Sequence, residues 1–135
     1  MANALFDAAR SQFLQATVNM TDSIKLVFVD HGVDTPVPAT DDFLDDITAG
    51  ARIATSGAFT TKSYTAGVFD ADDVTVTAVS GASFESIVIF DDTPGTEATK
   101  DLIAFIDTAT GLPTTPNGGD IIVQWDNGAN RIFKL

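Results

Sequence analysis

Hydrophobic positions change their period once along the chain. Leu5, Phe6, Ala9 and Phe13 recur at three- and four-residue spacing, with Asp7, Arg10, Ser11 and Gln12 on the other face. That pattern predicts an amphipathic helix over residues 1–16, with Asp7 early and Arg10 later, the order the helix dipole favours. Such a stripe either covers the open end of a sheet or docks on a neighbouring subunit. From Asp22 onward the period becomes two. Ser23 to Asp30 places Ile24, Leu26 and Phe28 on one face and Lys25, Val27 and Val29 on the other, so both faces are largely covered.

Further strands follow the same logic. A short one centres on Arg52, Ile53 and Ala54, and another runs from Val74 to Val79. Ser86 to Phe90, Leu102 to Ile106 and Ile121 to Trp125 carry apolar residues on both faces and read as central strands. Phe59 to Thr65 is polar and Thr-rich with Lys62 in its middle, the composition of a protected edge strand. Thr40 to Ile47 reads as a helical turn near 41–47, with Thr40 as N-cap. Asp126-Asn127-Gly128 is a tight-turn signal that predicts a terminal hairpin, with Arg131 to Leu135 pairing back on the preceding strand. The fold class that follows is mainly β: an antiparallel sandwich or barrel of seven or eight short strands over 22–135, preceded by the N-terminal helix, in one domain of 135 residues.

Charge and composition narrow the chemistry. Seven Lys+Arg against 19 Asp+Glu give a net charge of −12, which disfavours nucleic acid and anionic membrane as partners. The start lacks a basic n-region with a long apolar stretch, and no apolar run is long enough to span a bilayer, so the expectation is a protein assembled in a cytoplasm. With no cysteine there is no disulfide framework and no thiol nucleophile, and one histidine excludes a His-rich zinc site. Nearly all the acids are aspartates, 17 against two glutamates, and most fall in turns or at the ends of strands and helices. Asp70, Asp72 and Asp73 form the best candidate loop for a hard cation, but the loop lacks the glycine and distal glutamate of an EF-hand, and turn aspartates bonding their own backbone account for it as well. His31 follows a strand and would need one of seven serines as nucleophile, without a Gly-x-Ser-x-Gly elbow to present it. No Walker loop or dinucleotide fingerprint is present. Trp125, in an apolar strand, reads as core or interface packing before sugar binding. No catalytic residue, metal or cofactor is expected.

Several blocks carry a resemblance. The opening Met1-Ala2-Asn3-Ala4-Leu5-Phe6-Asp7, Asp42-Phe43-Leu44-Asp45-Asp46-Ile47, Gly67 through Val74, Ala78-Val79-Ser80-Gly81, Ile106 through Pro113, Pro116 through Asp120 and Trp125-Asp126-Asn127-Gly128 resemble a family of small tailed-bacteriophage proteins, over nearly the full length. The resemblance implies a non-enzymatic virion structural protein, most like a capsid decoration (cement) protein on the outside of the shell. Its implied partners are the phage major capsid protein and further copies of itself, a trimer being favoured, and many weak contacts would add to stabilise the shell. The segments suited to bridging are the helix, through Leu5, Phe6, Ala9 and Phe13, and the Thr-rich stretch, through Phe59, Lys62 and Tyr64. The alternatives are a tail or head–tail connector component and a carbohydrate-binding domain on the virion surface.

Overall fold

Strands apolar on both faces must be covered on both, and three of those read so, at 24–29, 86–91 and 102–106, form the centre of the molecule. In a computed structural model, which describes residues 2–135, they lie within a five-stranded antiparallel sheet. It contains β1 (Ala4–Leu5), β2 (Ile24–Val29), β3 (Arg52–Thr55), β6 (Ser86–Asp91) and β7 (Leu102–Ile106) in the order β1-β7-β6-β2-β3. β2 and β6 pair over six residues, Ile24 opposite Asp91 through to Val29 opposite Ser86. All six residues of β6 are buried. Phe28, Phe84, Phe90 and Phe105 are among the largest fully buried side chains, and Phe28 stacks on Phe84 with ring centroids 4.2 Å apart. Burying each such side chain contributes roughly 1.5–3 kcal/mol.

Two small antiparallel sheets lie outside this one. β4 (Val68–Phe69) pairs with β9 (Phe133–Lys134), and β5 (Val74–Val76) pairs with β8 (Ile121–Val123). The chain is thus mainly β, with nine short strands in three sheets and one N-terminal helix among the described residues. The sheets do not close into a barrel, because the five-stranded sheet ends at β1 on one side and β3 on the other.

The helix α1 spans Asp7–Gln15, shorter than the periodicity predicts, and Met1 lies outside the described residues. Ala4 and Leu5 pair instead with Phe105 and Ala104 of β7, and the Phe6 amide donates to the Ile103 carbonyl at 3.1 Å. Asn3 locks this arrangement: its Oδ1 accepts from the Asp107 and Thr108 amides, and its Nδ2 donates to the Thr108 carbonyl. The first part of the apolar stripe therefore has sheet partners, and the helix begins only where they run out. It ends at Ala16, left-handed with φ 56°, whose amide returns to the last turn.

Four further expectations are corrected. Phe59 to Thr65 is not an edge strand. Thr61 and Ala66 sit at positive φ, Asp72 Oδ2 takes both the Thr60 and Thr61 hydroxyls, and Ser63 bridges Asp70, so the stretch folds back on its successor. Arg131 to Leu135 does not pair with β8, because Phe133 is drawn to Phe69 and Phe13, with ring centroids 5.3 and 6.1 Å away. Ile121 to Trp125 is not central: β8 stops at Val123, and Ile122 is 60% exposed. Thr40 caps no helix. The helical turn is a 3-10 segment at Leu44–Asp46, where Asp46 Oδ2 accepts from the Asp42 and Phe43 amides while the Thr40 hydroxyl turns to Asp41.

Candidate functional site

An apolar groove of about 670 Å³ opens where α1, β1 and β9 meet. Its walls include Leu5 from β1, Phe13 and Leu14 from α1, Ile106 from β7 and Phe133 from β9. The helix is held against the sheet through Gln12, whose Nε2 donates to Asp101 Oδ1 at 2.6 Å, and through the buried Ala9. That orientation turns Phe13 inward onto Phe133 and leaves Leu14 at the rim, 90% exposed. A leucine so fully in water, beside further apolar surface from Leu135, is the molecule's clearest unpartnered apolar feature. Arg10 and Lys134 also line the groove, so two of the seven cations of a protein of net charge −12 meet here. Lys134 makes no ion pair among the described residues, and Arg10 lies 3.9 Å from Asp7 with both side chains largely in solvent.

The residues singled out as bridging candidates divide between surface and interior. Phe6 and Ala9 are completely buried and Phe59 nearly so, so their side chains offer no surface. Leu5 and Phe13 line the groove. Lys62 is tied by its ammonium to the Thr21 and Asp22 carbonyls, and Tyr64, 44% exposed, donates its hydroxyl to the Met20 carbonyl. The two segments are nevertheless connected. A row of rings runs from Phe13 through Phe133 and Phe69 to Phe59, and on to Trp125. Trp125 is half-buried at its end, with Nε1 donating to the Asp72 carbonyl. Leu14, Ile132 and Phe133 were not among the candidates. The signal for Leu14 is present in the sequence, since it follows Phe13 directly and intrudes on the polar face of an amphipathic helix.

Asp70, Asp72, Asp73, His31 and Ser86 are each engaged within the fold. Asp70 faces Arg131 at 3.7 Å, Asp72 takes the two threonine hydroxyls, and Asp73 accepts from the Trp125 amide. Three neighbours in sequence thus point to three different partners, and no group of three or more His, Cys, Asp or Glu that could hold a metal exists among the described residues. His31 does meet a serine, with Nε2 2.8 Å from Ser86 Oγ. Ser86, however, is fully buried and cannot reach a substrate, and Glu85 accepts from the His31 main-chain amide. The pair is a packed link between a strand end and β6, with the imidazole stacked over Phe105.

One charged cluster is ordered. Asp92 sits between Lys25 (2.6 Å) and Lys100 (2.7 Å). Partial burial pushes its carboxyl up, but the hydrogen bonds and charges of the two lysines outweigh this and hold it below the ordinary value of 3.8. Its neighbour Asp91 is buried and makes no ion pair among the described residues. Burial raises its carboxyl above 3.8, the Thr93 hydrogen bonds oppose the rise, and the charges of Asp22 and Asp101 add to it. Neither group opens onto the groove. What the groove can do chemically is exclude water from an apolar partner while two cations meet carboxylates at its edge. Comparison of the chain with protein-family models gave no match, and comparison with curated proteins gave none.

Proposed function

We propose that this protein is a non-enzymatic bacteriophage virion component, a capsid decoration protein that binds the outside of the shell and stabilises it by bridging major capsid protein subunits. The observation that carries the reading is the open apolar groove with Leu14 at its rim, a surface suited to adhesion, in a chain whose His31, Ser86 and Asp72 are engaged in its own packing. The blocks that resemble small tailed-phage proteins support the same reading. So does the acidity, which keeps a protein made in many copies soluble and away from packaged DNA. Many copies multiply individually weak contacts into a stable lattice.

The test is to add purified protein to expanded capsids that lack it and measure their resistance to heat. Saturable binding with a raised temperature of shell disruption is expected. Equal stability with no bound protein would overturn the reading, and retention only on tails or connectors would replace it with a tail or head–tail role.

A further inference from the structure

The groove is positively edged in a strongly acidic protein, and the same chain carries a feature of opposite character. Apart from the groove residues, the exposed large aliphatic side chains include Val33 (55%) and Val37 (43%), both in the turn between β2 and the 3-10 segment at Leu44–Asp46. This turn is preformed. Asp30 Oδ1 accepts from the Gly32 amide at 2.7 Å, the Val33 and Asp34 amides return to the Asp30 carbonyl, and Asp41 Oδ2 accepts from the Val37 amide. Pro36, between the two valines, is buried and anchors the tip. The result is a rigid apolar knob carried on a turn with Asp30, Asp34 and Asp41, and a preformed surface loses little entropy on binding.

The knob lies beside the first turn of α1, and the groove runs along the helix from Leu5 and Arg10 to Leu14. The Asp7 amide, at the first turn, donates to the Pro38 carbonyl beside the knob at 2.8 Å, whereas Phe13 and Leu14 of the last turns line the groove. We propose that the groove of one copy receives the Val33–Val37 turn of the next, with Arg10 and Lys134 facing the aspartates of that turn. The occupant is a second copy of this chain, because the complementary apolar, acidic surface is present on the chain itself. The contact is head-to-tail, since two different patches meet, and it closes into a ring when the rotation allows. This deepens the decoration reading by naming the surface that joins neighbouring copies.

Sedimentation of the purified chain over a wide range of concentration tests the contact. The unaltered protein is expected to associate reversibly. Leu14→Glu in the groove, and Val33→Asp combined with Val37→Asp in the knob, are each expected to abolish association. Circular dichroism and thermal unfolding serve as controls, because all three side chains are exposed and their replacement leaves the fold intact. Mixing the two variants is the decisive arm: the groove-deficient copy still offers a knob and the knob-deficient copy still offers a groove, so a one-to-one pair is expected. Three results would overturn the proposal: an unaltered protein that stays monomeric throughout, a knob variant that still associates, or a mixture that does not pair. The measurement uses isolated protein, so its failure is separate from failure of shell binding, which is read on capsids.

Discussion

Ser56 illustrates how single residues hold this fold. Its hydroxyl accepts from the buried Leu26 amide at 3.0 Å and donates to the Gly57 carbonyl, continuing the sheet past the end of β3 where no strand supplies a partner. Ser56→Ala leaves a buried amide unsatisfied, and a loss of about 1–3 kcal/mol is expected in denaturant unfolding. The adjacent acids Asp91 and Asp92 are expected to show opposite pH dependence. Asp92, depressed below 3.8 in the fold, contributes stability that is present above 3.8 and is lost as pH falls through its folded value. Asp91, raised above 3.8, costs stability while ionised, and that cost is relieved as pH falls through its folded value. Asp92→Asn is therefore expected to destabilise the protein at neutral pH and to match it in strong acid. Asp91→Asn is expected to be neutral or stabilising at neutral pH. Unfolding free energies measured across pH check both, and a carboxyl-carbon titration in which Asp92 titrated above Asp91 would contradict the assignment.

Among the elements, legibility followed the source of each element's stability. β2, β6 and β7 were readable because their apolar residues lie on both faces, and a strand covered on both faces leaves few alternatives. The stretch at 59–65 and the pairing of β9 were not, because both are decided by distant partners. Asp72 captures Thr60 and Thr61, and Phe69 with Phe13 captures Phe133, and alternation carries no trace of either. The helix start was misplaced for a related reason: Leu5 and Phe6 satisfy a helical period and are nonetheless held by β7 and Asn3. The groove was half legible, through Leu5 and Phe13 but not through Ile132 or Phe133, which come from the element whose pairing was misread. At this scale, Phe84→Ala removes the partner stacked on Phe28 and is expected to cost about 3–5 kcal/mol, read by denaturant or thermal unfolding. Asn3→Ala releases the clamp that holds β1, and faster hydrogen exchange at the Phe6 amide is expected while the amides of β6 stay protected.

For the whole molecule, the net charge of −12 takes on a local meaning. The aspartates largely cap turns and meet hydroxyls and lysines, while two cations are left at the rim of an apolar groove of about 670 Å³. The groove and the exposed Leu14 are the surface on which the proposed role rests. The proposal that the protein decorates a capsid is therefore tested most directly by where it sits in particles. A particle reconstruction of virions that contain this protein, refined with the symmetry of the shell, is expected to show it in many copies on the outer capsid surface, seated across neighbouring capsid subunits. Density confined to the tail or connector, or a shell with no copies on it, would contradict the account.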